Sequence, residues 1–267
     1  MPTPKVPAAD ATLRLLTFLA SRRAPVAAAR IAEELELPRS RTYDLLATLV
    51  EHGYVLHLDQ EQRYGLGPSA HELSGAYARQ EPLARIGRRV VEGMVDAVGE
   101  SGHLAVLHGR DVLYVVEERA RNRPSLVTDV GVRIPAHLTA SGRAILAHLP
   151  AAQLRALYGT VADFSSRTDA PGPSTPKQLR ELLTAVRADG IASESGEVSD
   201  EMGSVAAVVR DHAGWPAAAV ALTFVEARVG PQERERFAAA VRLGAEEITR
   251  RLGGRPEVPA AGARPAS

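Results

Sequence analysis

The chain of 267 residues carries 32 basic and 32 acidic residues and no cysteine, which excludes a disulfide framework, a thiolate metal site and a strongly basic protein. Residues 1–10 lack the apolar core of an export signal, and no apolar run approaches the ~18 residues of a membrane-spanning helix. We therefore expect a cytoplasmic protein of one or two domains that has no membrane partner.

Residues 1–67 have the pattern of a winged helix-turn-helix domain. Helices are predicted at about residues 10–21 and 28–35, because aliphatic residues recur there at helical spacing. Only residues 36–38 connect the second helix to a third one. A turn this short between two helices is typical of a helix-turn-helix. Two strand-like runs at 54–58 and 63–66 flank polar residues and predict a hairpin, the wing.

The third helix is predicted to begin at Pro38 and to stop before Gly53. Its buried stripe is formed by Thr42, Leu45, Leu46 and Leu49. Its other faces offer Arg, Ser and Tyr side chains, which suit phosphates and base edges, although a helical pair that merely packs is the alternative. The predicted DNA-binding residues are Arg39, Ser40, Arg41, Thr42, Tyr43, Asp44 and Arg63.

Charge is balanced within residues 1–67, although a DNA-binding domain usually has a basic footprint. Acidic residues gather at positions 33–36, whereas Arg39, Arg41 and Arg63 lie on the third helix and the wing. We therefore expect weak non-specific DNA binding that depends on dimerisation. Asp44 is expected to accept a hydrogen bond from cytosine N4 or, alternatively, to orient Arg41.

Beyond the wing, the pattern predicts a second domain joined by a helix. A helical pattern resumes after Pro68 and is broken at Pro82, so residues 68–81 are assigned to a linker helix, with a first helix of the second domain as the alternative. Residues 82–253 form the second domain, and 254–267 a disordered tail. Helices are predicted at 83–98, 140–149, 151–158, 175–188 and 231–252, and strands at 103–107, 112–116, 126–130, 205–210 and 217–225. This mixture predicts an α+β domain with an antiparallel sheet.

Candidate catalytic and metal-binding residues are few. His103 and His108 fall on opposite faces of a strand, so neither a metal site nor a cofactor is predicted. Ser141 lacks the preceding glycine of a nucleophile elbow and is expected to cap its helix or to hold a ligand oxyanion at the helix's positive end. An enzyme of the small-molecule hydrolase class would depend on His137 and Ser141.

Several motifs occur in the order found in one family. They are Ile31-Ala32, Leu37-Pro38-Arg39-Ser40, residues 45–49 (LLATL), 63–67 (RYGLG), 103–107 (HLAVL), 134–144 (IPAHLTASGRA) and 205–207 (VAA). From about residue 10 to 253, the chain resembles the IclR family of bacterial transcriptional regulators. The resemblance implies a winged helix-turn-helix, a linker helix and an effector-binding domain similar to a GAF or PAS sheet. It also implies homodimers, or dimers of dimers, on pseudo-palindromic double-stranded DNA operators.

The resemblance further implies that a small organic effector, a carboxylate or an aromatic metabolite, modulates operator binding. The effector-binding positions carried over from the family are Ala140, Ser141, Glu194, Ser204, Ala221 and Thr223. An ionised Glu194 is expected to disfavour a second anionic group on the ligand. We predict a repressor. An activator with the same architecture and a binding module that makes no sequence-specific DNA contact are the alternatives.

Overall fold

The computed structural model describes residues 5–22, 24–73, 82–121, 123, 128–170 and 172–255. The chain separates into two compact units, Met1–Gln80 and Glu81–Ser267. Parts of three predictions lie outside the described residues: positions 74–81 of the linker helix, positions 126–127 of a strand, and the tail from 256. No helix within the described part is long and apolar enough to cross a membrane.

The first unit confirms the predicted winged helix-turn-helix. Its elements are α1 (Pro7–Ala20), β1 (Val26–Ala27), α2 (Ala28–Glu34), α3 (Arg39–Glu51), β2 (Val55–Leu58), β3 (Arg63–Leu66) and the first described turns of α4, residues 68–73. The three strands form an antiparallel sheet in the order β1-β3-β2. Fully buried Leu15, Ile31, Leu46 and Val55 lie at its core, and each such side chain contributes about 1.5–3 kcal/mol of burial energy.

Local chemistry determines both ends of α3. Pro38 has an extended ψ of 139°, so the helix begins one residue later than predicted, at Arg39. The Leu37 N–H donates to the Ala32 carbonyl at 2.9 Å and closes the reversal of direction after α2. Gly53 adopts a φ of +72°, and the Tyr54 N–H then donates to the Leu49 carbonyl. This left-handed residue ends α3 where the sequence predicts.

The second unit is an α+β domain built on one antiparallel sheet, as predicted. Its elements are α5 (Pro82–Val98), β4 (Ser101–His108), β5 (Asp111–Glu118), β6 (Arg133–Pro135), α6 (Ala140–Leu146), α7 (Ala151–Leu157), α8 (Pro176–Asp189), β7 (Ala192–Ser195), β8 (Met202–Arg210), β9 (Pro216–Val225) and α9 (Pro231–Arg251). The six strands lie in the order β6-β5-β4-β9-β8-β7.

The two faces of the sheet carry side chains of different size. Val220 and Leu222 of β9 pack in a cluster with residues of α5 and α9. The alternate residues Ala219 and Ala221 belong to a second cluster, with α6 and α8. Because successive strand residues point to opposite faces, small residues are concentrated on the α6 side. That side has room for a cavity.

Two strand assignments differ from the sequence prediction. Residues 128–130 are not in a strand; the strand that pairs with β5 is β6, which follows the left-handed Gly131. Strand β7 was not predicted, because its sequence, ASES, contains no β-branched or aromatic residue and gives no hydrophobic alternation. Ala192 and Glu194 nevertheless face inward, and the strand exists through its pairing with β8.

Candidate functional site

A cavity with about 480 Å³ of atom-free space, part of it open to solvent, lies between α6 and the sheet of the second unit. Its lining comes from five strands, the start of α6 and two connecting segments, which are distant in sequence. The lining residues are His103, Tyr114, Thr128, Thr139, Ala140, Ser141, Glu194, Val198, Ser199, Met202, Ser204, Ala221 and Thr223. Because this figure includes open solvent, it is an upper limit on the space for a ligand.

All six residues expected from the sequence to bind an effector line this one cavity. Strand register explains how three of them meet: Glu194 of β7 pairs with Ser204 of β8, and Ser204 pairs with Thr223 of β9. In the neighbouring row, Ala221 of β9 pairs with His103 of β4. Ladder pairing therefore places residues as far apart as His103 and Ala221, 118 positions in sequence, side by side on the floor of the cavity.

The start of α6 forms another wall and corrects one expectation. Thr139, not Ser141, caps the helix, because its Oγ1 accepts the Gly142 N–H at 2.9 Å. Ser141 is buried and lines the cavity. A side chain at Gly142 would collide with the backbone of Ala136, so α6 needs glycine there to approach it. Since α6 has only seven residues, its dipole contributes little to anion binding, and hydroxyl groups matter more.

Glu194 is the acidic group of the cavity. It is 5% exposed, and its Oε2 has no hydrogen-bond partner among the described residues. Burial raises the pKa of Glu194 to about 7, although the nearby Ser204 hydroxyl favours the ionised form. The Ser204 and Thr223 hydroxyls are also 3.0 Å apart. At neutral pH a large share of Glu194 is uncharged, contrary to the expectation of an ionised carboxylate.

His103 and Tyr114 complete a polar but uncharged lining. The His103 Nε2 lies 2.9 Å from the Thr128 hydroxyl, and burial, with a smaller effect from Arg119, lowers the pKa of His103 to about 4. The Tyr114 ring meets that of His103 edge-on at 5.4 Å. Burial raises the pKa of Tyr114 above its usual value. Both side chains are neutral at pH 7, and no Lys or Arg appears in the described lining.

Arg143 supports the cavity from behind. It is 2% exposed, and its Nε donates to the His137 carbonyl at 2.9 Å. Its Nη1 donates to the Ser193 carbonyl at 2.7 Å and lies 2.9 Å from a carboxylate oxygen of Glu197. The guanidinium thus ties α6 to β7 and to the segment that follows it. These contacts hold the backbone at Ser193, which precedes Glu194, and the side chain of Glu197, which follows it.

The outer face of α3 is the second candidate site. Arg39, Ser40, Tyr43 and Asp44 are exposed, and Arg41 is half-buried. Thr42 is 0% exposed, and its hydroxyl donates to the Pro38 carbonyl at 3.1 Å. The expectation that Thr42 contacts DNA is therefore wrong, because its side chain belongs to the core of the unit.

The cationic side chains of α3 have no ion-pair partner among the described residues. Glu34 of α2 lies 3.6 Å from both Arg22 and Arg30, which offset the charge of this carboxylate. Within the described residues, Arg39 and Arg41 form no ion pair. Arg63 of the wing is exposed and only approaches the Pro25 carbonyl, at 3.5 Å. Asp44 also forms no ion pair with Arg41 among these residues, so the geometry does not show it orienting Arg41.

Family comparisons cover most of the chain. The IclR helix-turn-helix domain family matches residues 8–58, and the family described as bacterial transcriptional regulator IclR C-terminal matches residues 75–250. The chain belongs to the IclR family. It is a DNA-binding transcriptional regulator with a ligand-binding C-terminal domain.

Individual regulators and one solved structure resemble most of the chain. The glycerol operon regulatory protein of Streptomyces coelicolor is 30% identical over 90% of this chain and 93% of its own length. The transcriptional repressor IclR of Escherichia coli is 25% identical over 91% of this chain and 88% of its own. An IclR homologue from Microbacterium hydrocarbonoxydans, solved in complex with 4-hydroxybenzoate, has a TM-score of 0.76 at 22% identity, covering 92% of this chain and 98% of that one.

Within this IclR-family fold, the two residues of the hydrolase alternative, His137 and Ser141, have different surroundings. The His137 Nε2 lies 2.9 Å from the Ser165 carbonyl oxygen, and its ring packs edge-on against Tyr158 and Phe164. Burial lowers the pKa of His137. No hydrogen bond joins His137 to Ser141 in the described part of the chain, and the families that match are regulators. The geometry of an activated serine is not assembled.

Sequence reasoning missed seven residues of the lining. They are His103, Tyr114, Thr128, Thr139, Val198, Ser199 and Met202. His103 and Tyr114 lie in predicted strands, and their polar character at inward positions was a usable signal. The other residues lie at strand or helix ends, or in connecting segments whose position depends on tertiary contacts. No local pattern identifies such residues.

Proposed function

We propose that this regulator is a repressor that binds a pseudo-palindromic operator as a dimer and changes its operator affinity when a small organic acid enters the cavity of the second unit. The observation that carries the proposal is the convergence of Ala140, Ser141, Glu194, Ser204, Ala221 and Thr223 on one cavity. A chain that contains both a helix-turn-helix and such a cavity has the parts of a ligand-controlled DNA switch.

Cations without an ion-pair partner in the described part of the chain support α3 as the recognition helix. Arg39 and Arg41 have no ion pair in the described residues, and Arg63 extends from the wing. Together with Ser40, Tyr43 and Asp44, they are the proposed DNA contacts. Since the charges of the first unit balance, one copy attracts DNA weakly. Two copies on an inverted repeat, one per major groove, supply the missing affinity.

Repression is supported by the relative from Escherichia coli, which is named a transcriptional repressor. The proposed ligand class is a small acid, including aromatic acids such as the 4-hydroxybenzoate bound to the Microbacterium homologue. The cavity suits such a molecule because it combines hydroxyl groups, including that of Ser141, with apolar groups such as Ala221 and Val198. The hydroxyls position the acid, and the apolar groups pack against its carbon skeleton.

Selection of duplexes from a random pool tests the DNA half of the proposal. The bound pool should contain an inverted repeat, and cutting a duplex down to one half-site should weaken binding at least tenfold. A gel-shift titration with the selected and scrambled duplexes measures the preference. Equal affinity for both duplexes would contradict sequence-specific regulation.

Thermal-shift screening with small acids tests the ligand half. An acid that raises the melting temperature should also change operator affinity in gel shifts. Thr223→Val keeps the shape of a cavity residue but removes its hydroxyl, and should weaken both effects. Thr184→Val, on the exposed side of α8, is the matched control and should behave as the unmodified protein does. Equal ligand responses in the two variants would place the ligand elsewhere.

A further inference from the structure

The cavity has no cation with which to neutralise an anionic ligand. Its described lining includes neither Lys nor Arg, and its histidine is neutral. The strongest remaining partners for an anion are neutral groups that donate hydrogen bonds. Tyr114 makes no hydrogen bond through its hydroxyl within the described residues, and Glu194 keeps its Oε2 buried without a partner. Both groups are therefore available to a ligand.

The charged and titratable groups near Glu194 come from several elements. They are Glu197 from the segment after β7, Arg143 from α6, Tyr114 from β5, His103 from β4 and Arg167, which precedes α8 and acts on Tyr114. Arg143 lies against Glu197 and two backbone carbonyls, so it serves the scaffold. The carboxylate of Glu197 opposes the ionisation of Glu194, whereas Arg143 and the backbone N–H of Glu197 favour it. No neighbour among the described residues forms an ion pair with Glu194.

We propose that protonated Glu194 donates a hydrogen bond to the carboxylate of the ligand, so that the cavity takes up one proton with each acid anion. This inference rests on the proposed function, in which a small acid occupies the cavity. The proton remains between two carboxyl oxygens, and no bond other than this hydrogen bond forms. An ionised Glu194 would place two negative charges side by side in a buried site and would exclude the anion.

Burial supports this assignment, because it raises the pKa of Glu194 to about 7. The carboxyl group is then protonated in a substantial fraction of molecules near neutral pH. A hydrogen bond to an ionised acceptor is about twice as strong as a neutral one, which favours the acid–carboxylate pair over two separate solvated groups. The orphaned Oε2 gains a partner in the complex.

The inference makes a quantitative prediction about pH. If only the protonated form binds an acid anion, the dissociation constant stays level below the pKa and rises tenfold per pH unit above it. Between pH 6 and pH 8.5 affinity should fall about 30-fold for a pKa of about 7. A neutral amide of the same shape should show no such fall, and an ammonium analogue should bind more tightly as pH rises.

Calorimetry on the full chain provides the test, with benzoate and 4-hydroxybenzoate as acid probes, benzamide as the neutral probe and benzylamine as the cationic probe. Titrations at pH 8 in two buffers of different ionisation enthalpy should report uptake of about one proton per acid bound. At pH 5.5 the uptake should approach zero. This proton count needs no variant and therefore does not depend on a mutant folding.

Glu194→Gln keeps a donor of the same shape but cannot titrate. It should bind the acids with a pH-independent affinity close to that of the unmodified protein at pH 6. Glu100→Gln is the matched control: Glu100 is also buried, burial raises its pKa, and it pairs with Arg123 at 2.7 Å outside the cavity. That variant should keep the full pH dependence.

The outcomes separate this inference from the proposed function. Acid binding without proton uptake, or with the same pH dependence in Glu194→Gln, would overturn the proton coupling and leave the ligand site intact. Tighter binding of benzylamine than of the acids at pH 6, below the pKa of about 7, would show that Glu194 acts as an anion there and would also overturn the coupling. If no acid binds at any pH, the proposed function itself is wrong.

Discussion

The outer face of α3 and the cavity of the second unit each carry a carboxyl group, but the one on α3 is exposed to water and the one in the cavity is buried. Asp44 is solvated on α3, whereas Glu194 is 5% exposed in the cavity and lacks a partner for one oxygen. The first carboxyl group is in contact with water, whereas burial in the fold raises the pKa of the second. From this comparison we expect DNA binding at the surface site to depend on DNA sequence and salt concentration. Ligand binding at the buried site should depend on pH.

The largest expected effect concerns the buried ion pair of the second unit. Arg143→Met should lower the free energy of unfolding by about 3–5 kcal/mol, because Glu197 and two carbonyls lose their partner in the interior. Arg30→Met removes the exposed pair with Glu34 and should cost less than about 1 kcal/mol. Urea unfolding of both full-length variants measures the difference. If both variants lost the same free energy of unfolding, the buried ion pair would be no more important for stability than the exposed one.

The next effect is a pH dependence of stability with two opposing parts. The raised pKa of Glu194 means that stability falls as pH rises from 4.5 to about 7, whereas the lowered pKa of His103 means that stability rises as pH goes from about 4 to 6.5. In the unmodified protein these slopes largely cancel. Glu194→Gln removes the first, so its stability relative to the unmodified protein should increase by about 3 kcal/mol between pH 4.5 and pH 7.5.

Urea unfolding at four pH values between 4.5 and 7.5 measures this change. Glu181→Gln, which alters an exposed carboxylate on α8, is the control and should give a difference that does not vary with pH. Parallel pH profiles for Glu194→Gln and the unmodified protein would mean that the cavity carboxyl group titrates like a solvated one.

On the surface side of the comparison, Arg41→Ala should weaken operator binding by about 1–3 kcal/mol if its guanidinium reads a base. Sequence preference should then become flatter at one position. Arg63→Ala should weaken binding to all duplexes equally and reduce the salt dependence, as expected of a phosphate contact. Gel shifts at several salt concentrations distinguish the two patterns. Loss of thermal stability in either variant would contradict a role confined to the surface.

A smaller effect is expected at Asp44. Asp44→Asn should change the preferred base at one operator position by roughly 1 kcal/mol if the carboxylate accepts a hydrogen bond from cytosine. If Asp44 only orients Arg41, affinity should change evenly across sequences. Competition gel shifts with single-position operator variants decide between these alternatives. The lack of an ion pair between the two side chains favours direct reading.

The smallest effect on DNA is expected at Thr42. Thr42→Val keeps the volume of this buried side chain and removes only its hydrogen bond to the Pro38 carbonyl. Operator affinity should change less than twofold, while the free energy of unfolding falls by about 1 kcal/mol. A large loss of affinity without a loss of stability would restore Thr42 to the DNA-contacting set.

How much the sequence predicts differs between the two units for a physical reason. Helical spacing and turn residues such as Gly53 are local signals, and they placed the winged helix-turn-helix to within a few residues. Cavity residues came from family resemblance, because their proximity depends on ladder pairing between distant strands. Strand β7 and the cap at Thr139 went unrecognised. From sequence alone, a side chain such as Thr42 can be assigned either to the buried stripe of α3 or to its DNA-binding face. Only the tertiary packing distinguishes the two.

The pairing of β4 with β9 also has a consequence for the newly made chain. Ser101 pairs with Thr223, so the middle of the second sheet cannot close until more than a hundred further residues have left the ribosome. At ~5–20 residues per second this delay is on the order of ten seconds, whereas β1 to β3 of the first unit pair within a stretch of about forty residues. A premature stop codon between residues 119 and 216 therefore leaves the winged helix-turn-helix complete but the β4 edge without β9, and such an unpaired edge is a template for aggregation.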